Sequence, residues 1–159
     1  MLRTSKIILI MLVAMWGLIG GVKNFADIDG GLGAVRAVLN PSEAAGLPDW
    51  QMIESPIMVW LGWLTIALAK LATAGLCIAG ALKMWRARNL DAAAFNAAKE
   101  MALVGCSVAL AMMFGVFFVA GSTYFNLWQT QLGAIALPPA FRLTGSIALI
   151  AIFVHQDDR

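Results

Sequence analysis

The chain has 159 residues, of which 61% are apolar and 13% charged, and its formal net charge is +2 at pH 7. A soluble domain carries about a quarter charged and roughly 45 to 50% apolar residues, so this composition predicts an integral membrane protein. The small net charge argues against nucleic-acid binding, and two cysteines cannot build a disulfide scaffold. A single histidine, His155, leaves two-histidine metal sites and histidine relays without their usual residue. We therefore expect no enzymatic activity, no metal and no cofactor, although lipids can bind.

Four apolar runs are long enough to cross a bilayer, whose core of about 30 Å needs roughly 20 helical residues. They cover about residues 7–23, 57–84, 101–125 and 140–155. The second begins after Pro56 and the fourth after Pro138-Pro139, because proline suits the first turn of a helix. The first follows a basic stretch, as in a signal peptide, but the absence of a small-residue cleavage site after Val22 favours a retained helix. The prediction is an all-α, four-helix membrane bundle forming one domain over residues 1–159.

The lysines and arginines of the short loops predict the orientation of these helices. With the N-terminus inside, the cytoplasmic side holds Arg3, Lys6, Lys83, Arg86, Arg88, Lys99 and Arg159, against Lys23, Arg36 and Arg142 outside. Both termini are therefore expected in the cytoplasm.

The outer loop, residues 24–56, is too short for a domain but carries a helical pattern. Leucine and valine recur at helical spacing between Leu32 and Leu39, and an Asn-Pro pair ends the pattern, which predicts a short interfacial helix. Asp49 is a candidate N-cap for a second helical turn. We interpret the loop as a lid over the outer helix ends, with substrate gating as the alternative.

Lys70 is an ionisable residue near the middle of the second predicted span. Such a residue costs about 2.5 to 3.5 kcal/mol on insertion scales and is a functional candidate for that reason. Small and polar residues share its helix face, so we expect it to face protein. About 14 residues, roughly 20 Å, separate it from either end of the span, which predicts that its ammonium does not reach the interface.

The other predicted spans place no acidic residue at the depth of Lys70. Thr73, Trp16 and Ser146 are its expected neighbours, with a cation–π face on the tryptophan and hydroxyls on the other two. Three states remain open: a neutral lysine, a lysine solvated in a water-filled cavity, and a lysine paired with an acid on another chain.

A polar rim is expected at the outer interface. Its members are Asn24, Asp27, Trp128, Gln129 and Arg142. Cys77 and Cys106 are expected to be buried packing residues on adjacent helices. Three small-xxx-small motifs, Gly17 to Gly21, Gly75 to Ala79 and Ala111 to Gly115, are interpreted as packing within the chain.

Several short stretches taken together match a family pattern. They are Asn24-Phe25-Ala26-Asp27, Val35-Arg36-Ala37-Val38-Leu39, Trp50-Gln51-Met52-Ile53-Glu54-Ser55-Pro56, Leu82-Lys83-Met84-Trp85-Arg86-Ala87-Arg88, Ala94-Phe95-Asn96-Ala97-Ala98-Lys99, Phe125-Asn126-Leu127-Trp128-Gln129-Thr130 and Ala140-Phe141-Arg142. In them the chain resembles, over nearly its whole length, the uncharacterised bacterial family of predicted small integral membrane proteins, a domain-of-unknown-function family with four predicted helices. The resemblance implies a multi-pass protein of the bacterial inner membrane and brings no established activity.

Two positions depart from the family pattern. Members usually have a glutamate where this chain has Lys70, and a Gly-Gly-Glu-Trp-Phe stretch where it has Gly121-Ser122-Thr123-Tyr124-Phe125. If those acids serve a family activity, this chain has lost or inverted it.

The favoured function is a non-catalytic accessory or structural subunit of a larger membrane complex, of respiratory or photosynthetic type. Its partners are then membrane lipids and other membrane subunits, without nucleic acid. The motivation is an unpaired Lys70 on a small-residue face, few catalytic side chains and almost no mass outside the membrane. The alternative is a small transporter or channel in which Lys70 attracts an anionic substrate.

Overall fold

The computed structural model describes residues 2–44 and 46–158, and their regular structure is entirely helical. Its α-helices are α1 (Leu2–Ala26), α2 (Ile28–Leu39), α3 (Pro56–Ala87), α4 (Ala92–Ala98), α5 (Glu100–Met112) and α6 (Gln131–His155). A π-helix, Met113–Tyr124, continues α5, and 3₁₀ turns lie at Asp49–Gln51 and Leu127–Gln129. Four helical stretches are long and apolar enough to cross a membrane. They are α1, α3, α6 and the stretch that runs from α4 through α5 to the end of the π-helix. The prediction of an all-α protein with four such helices is confirmed.

Glycines let α1, α3 and α5 approach closely. A Cβ atom at Gly17 of α1 would lie 2.7 Å from the backbone oxygen of Lys70 in α3. A Cβ at Gly80 of α3 would overlap the backbone of Ala102 in α5. Small residues at such contacts bring helix backbones together, which supplies van der Waals packing where the surrounding solvent is as apolar as the side chains. These three helices therefore form the tightly packed centre of the bundle.

The main core lies towards the end of the bundle where α1 begins and α6 ends. It is built from fully buried side chains of all the long helices, among them Ile10, Met84, Phe95, Cys106 and Val154. The two cysteines are both buried there on adjacent helices, and Cys77 Sγ donates to the Ala102 carbonyl at 3.8 Å.

Helix α6 is the most peripheral of the four long helices. In α6, 17% of its apolar 18-residue segment is buried inside the protein. The corresponding share is 39% for α1 and 33% for the other two helices. It begins at Gln131, so the predicted start at about residue 140 is wrong, and Pro138 and Pro139 lie inside the helix. The reason is a strong start upstream: Thr130 Oγ1 accepts from the Gly133 N–H at 3.0 Å and offsets the hydrogen bonds that the prolines remove.

The segment between α1 and α3 contains α2, where the helical spacing of leucine and valine predicted a helix. Asp27 caps it by accepting from the Gly30 N–H at 3.0 Å, and Asn40 is its C-cap. Asp49 is not an N-cap, because Pro48 holds that position and Asp49 is the first residue of the 3₁₀ turn. The placement of α2 at a membrane interface remains a prediction.

Candidate functional site

Lys70 contacts a neutral partner on α1. A Cβ at Gly20 would lie 3.2 Å from Lys70 Cδ, so the missing side chain leaves a channel in which the lysine stem runs. The ammonium reaches Asn24, one turn further on, and Nζ donates to Asn24 Oδ1 at 3.3 Å. The side chain remains partly exposed. The partner of Lys70 therefore lies on the neighbouring helix. That its ammonium does not reach the membrane interface remains a prediction.

The residues expected around the Lys70 ammonium are not gathered there. Thr73 is fully buried, and its hydroxyl has no hydrogen-bond partner in the part of the chain that the structure describes. Trp16 packs against two apolar cores instead, and Ser146 is exposed on α6. Lys70 turns away from these residues because the open path along Gly20 leads towards the end of α1.

The predicted outer polar rim is dispersed in the structure. Asn24 accepts from the lysine, and Asp27 caps α2. Trp128 is 61% exposed in the second 3₁₀ turn, and Arg142 is exposed on α6. Gln129 is partly buried, and its Oε1 has no partner among the described residues. These side chains serve separate local roles and do not converge on one site.

A buried ion cluster joins the beginning of α1 to the chain just beyond α6. Lys6, 0% exposed, donates to Asp158 Oδ2 at 2.7 Å and to the Gln156 carbonyl at 2.6 Å. Lys99, 2% exposed, reaches the same two acceptors at 2.6 and 2.8 Å. Asn96 Oδ1 accepts from Lys99 at 2.6 Å and from the Asp158 N–H at 3.0 Å. We call Lys6, Asn96, Lys99, Gln156 and Asp158 the terminal latch.

Arg3 adds a third cation beside the terminal latch. Its Nε lies 4.0 Å from Asp158 Oδ1, and its Nη1 donates to the carbonyls of Arg88 and Leu90 at 3.1 and 2.6 Å. Three cations thus meet one carboxylate. Backbone carbonyls just beyond α3 and α6 offset the remaining charge, since the C-terminal end of a helix carries partial negative charge.

Asp158 is held as a carboxylate. Its burial alone would raise the pKa of the carboxyl group, but the hydrogen bonds and charges of Lys6 and Lys99 outweigh burial, and the pKa lies below its ordinary value. Every ionised member of the latch is therefore paired, which is the condition under which buried charges are tolerated.

Sequence reasoning missed the terminal latch because it treated Lys6 and Lys99 as markers of membrane topology. The available signal was an acidic pair, Asp157-Asp158, directly after the last apolar run and on the side where basic residues gather. Only the second acid turns inward, whereas Asp157 is exposed. That difference depends on the direction in which the backbone leaves α6.

The three small-residue motifs pack in different ways. Gly17 and Gly21 contact α3, so their interpretation as packing within the chain is confirmed. A Cβ placed on Gly75 or Gly115 has no described atom within 4 Å apart from the neighbouring backbone of its own helix, so that interpretation is wrong for both glycines.

Gly75 belongs to an outward face of α3. The face consists of residues spaced alternately four and three apart, Leu68, Ala72, Gly75, Ala79 and Leu82. Its leucines are 54% and 53% exposed, and Ala72 and Gly75 are exposed between them. We call these five residues the open α3 face. Its spacing is that of a helix seam that packs against another helix.

Four long apolar helices with buried, internally paired charges define an integral membrane protein with several spans. The model of a family described as predicted small integral membrane protein (DUF2165) matches residues 2–157. The chain belongs to this family, which confirms the resemblance that its sequence showed. No match was found among curated proteins or among solved structures.

Proposed function

We propose that the protein is a non-catalytic accessory subunit of a larger complex in the bacterial inner membrane, of respiratory or photosynthetic type. The observation that carries this proposal is the open α3 face. Its centre has the small side chains of the contacts that hold α1, α3 and α5 together, yet Ala72 and Gly75 are not covered by any part of the chain that the structure describes.

A glycine within a row of small residues on an exposed helix face is a candidate contact point for another helix. In a helix interior glycine is about 1 kcal/mol less favourable than alanine, and a lipid-facing position gains nothing from it. Against a partner helix the same glycine allows close backbone approach and extensive van der Waals contact. Leu68 and Leu82 flank the small residues and would pack over the edges of that partner. The face therefore supports a helix of another subunit as its occupant.

The polar side chains also favour a structural role over a catalytic one. Lys6, Lys99 and Asp158 satisfy one another, and Lys70 is engaged by Asn24. Arg3 binds two backbone carbonyls. Groups that are already paired stabilise the bundle but do not offer an activated nucleophile with an adjacent base.

Replacing Gly75 with leucine is expected to release the protein from its assembly, because the side chain would hold the partner helix away from the open α3 face. The measurement is native mass after gentle detergent extraction from the source membranes. Wild type should run in a particle heavier than its own 17.0 kDa, and the Gly75→Leu variant should run as the single chain.

The Gly145→Leu variant is the matched control, since Gly145 also has open space around it but lies on α6. It should keep the wild-type particle. A wild-type protein that is monodisperse as a single chain, or whose mass is a simple multiple of that chain, would contradict the accessory-subunit proposal.

A small transporter or channel is the second candidate, since Lys70 is partly exposed and its partner among the described residues, Asn24, is neutral. Replacing Lys70 with methionine tests it, because methionine keeps an unbranched stem beside Gly20 and removes the charge. Under the subunit proposal, liposomes containing either form should take up chloride or succinate no faster than empty liposomes. Uptake by wild type that the Lys70→Met variant loses would favour transport instead.

A further inference from the structure

A polar pocket of about 550 Å³ lies at the end of the bundle where α1 begins. Residues of the first turn of α1 line it, together with residues just beyond α3 and just beyond α6. The volume falls within the range of about 300 to 1,000 Å³ that is typical of small-molecule sites. These helices are long and apolar enough to span a membrane, so their ends lie where the polar head groups of lipids are.

Arg3 and Arg88 bring positive charge to the wall of this pocket. Arg3 Nη1 donates to the Arg88 carbonyl at 3.1 Å, so the two residues are neighbours. The Arg88 guanidinium lies over the Trp85 ring, 3.7 Å from its centroid, and Nη1 donates to the Trp85 carbonyl at 3.1 Å. No described acid pairs with Arg88, and its Nε and Nη2 have no described partner. A guanidinium held in this way presents donors that match the oxygens of a phosphate.

Asp157 brings negative charge to the same pocket. Its carboxylate is exposed and forms no hydrogen bond or ion pair with another described residue. Asp158 also lines the pocket, but Lys6 and Lys99 already pair with it. The pocket therefore holds a cation, Arg88, and an anion, Asp157, that do not pair with each other. Each is available to a group of opposite charge, which favours a ligand that carries both charges.

The remaining wall combines polar groups with an apolar surface. Thr4 and Asn89 are exposed, and their side chains have no hydrogen-bond partner among the described residues. Leu2 also lines the pocket and is 59% exposed. Covering an exposed leucine removes apolar surface from water, which a small polar solute does poorly and a lipid does with the first part of its chains. The wall therefore fits the head group of a lipid better than a soluble molecule.

We propose that this pocket binds the head group of phosphatidylethanolamine, a zwitterionic membrane lipid. Its phosphate accepts from Arg88, with Arg3 beside it, and its ammonium donates to the Asp157 carboxylate. A primary ammonium has three N–H donors, as in lysine. Phosphatidylcholine has methyl groups in place of those donors, and phosphatidylglycerol has no cation. The site uses no residue of the open α3 face and does not depend on the accessory-subunit proposal.

The test is native mass spectrometry of the full-length protein in detergent micelles that contain equal amounts of these three lipids with identical chains. Wild type should retain phosphatidylethanolamine in preference to the other two. The Arg88→Gln variant loses the charged donors, so its affinity for phosphatidylethanolamine should fall by about tenfold, the effect of losing one charge-assisted hydrogen bond. The Asp157→Asn variant loses the counter-ion of the ammonium, so it should no longer prefer phosphatidylethanolamine to phosphatidylcholine.

The Arg86→Gln variant is the matched control, because Arg86 is exposed in the last turn of α3 and does not line the pocket. It should retain the lipids as wild type does. Soluble phosphoethanolamine separates the two possible sources of this head group. Because it has no chains to cover Leu2, it should not displace the lipid at equal concentration.

Four results would overturn the proposal. Wild type could retain the three lipids equally, the Arg88→Gln variant could retain phosphatidylethanolamine as wild type does, or the Asp157→Asn variant could keep the wild-type preference. The fourth is displacement by phosphoethanolamine at equal concentration, which would assign the pocket to a soluble ligand. If the Arg88→Gln variant does not fold, the Asp157→Asn variant decides, since Asp157 has no contact of its side chain with a described residue to lose.

Discussion

Replacing Asp158 with asparagine is expected to lower the free energy of unfolding by about 3 to 5 kcal/mol, the usual cost of breaking a buried ion pair by removing one partner. The loss is large because Lys6 and Lys99 both depend on one carboxylate oxygen and neither is accessible to water. Thermal unfolding in detergent should show a midpoint lower by roughly 6 to 20 °C, the shift that such a loss gives in a chain of this size.

The neighbouring Asp157→Asn variant is the matched control. It removes the same charge from an exposed side chain, so its midpoint should stay close to that of wild type. Equal midpoints for the two variants would show that the terminal latch contributes little to stability.

The difference in unfolding midpoint between wild type and the Asp158→Asn variant should depend on pH. The reason is the pKa of Asp158, which is lower in the folded protein than its ordinary value of about 3.9. A depressed carboxyl pKa gives stability that is complete above the ordinary value and is lost as the pH falls through the folded one. The midpoints of wild type and the Asp158→Asn variant should therefore differ fully at pH 7 and converge below about pH 4. A difference that persisted unchanged into stronger acid would contradict the ionised state of Asp158.

Replacing Gly80 with alanine is expected to cost about 1 to 3 kcal/mol of folding free energy, as overpacking of a tight contact does. The added methyl group would meet the backbone of Ala102, which cannot rotate away as a flexible side chain can. Either α3 and α5 must separate or the helices must bend. The midpoint of thermal unfolding in detergent measures the effect.

The Gly145→Ala variant provides the comparison, because a methyl group there meets open space on α6. It should be neutral or stabilising by up to about 1 kcal/mol, since alanine favours the helix over glycine. A Gly80→Ala variant as stable as wild type would mean that α3 and α5 do not need their close approach.

The tight contacts and the terminal latch have a common consequence for the proposed role. Glycine contacts fix α3 against α1 and α5, and the latch joins both ends of the chain to the α4–α5 junction. The open α3 face therefore lies on a helix that is held from two sides. A rigid face loses less conformational freedom when it binds, which favours association with another subunit.

Sequence alone determined the membrane character and the number of long helices, because an apolar run is a local property that needs no knowledge of its neighbours. It also predicted a short helix from the spacing of leucine and valine between Leu32 and Leu39, and the structure has this helix at Ile28–Leu39. It could not locate the start of α6. Thr130 caps the helix upstream of the two prolines, which therefore lie inside the helix and do not mark its first turn.

Only the tertiary structure decided which polar residues meet. The Lys6–Asp158 pair joins residues 152 positions apart, and the Lys70–Asn24 contact joins residues 46 apart. Only the tertiary structure also shows which glycine motif contacts another helix. Gly17 and Gly75 have similar sequence contexts, but among the described residues only Gly17 contacts a neighbouring helix. Periodicity shows which residues share one side of a helix. Which side meets protein depends on how the helices rotate against one another, and that follows from packing over the whole bundle.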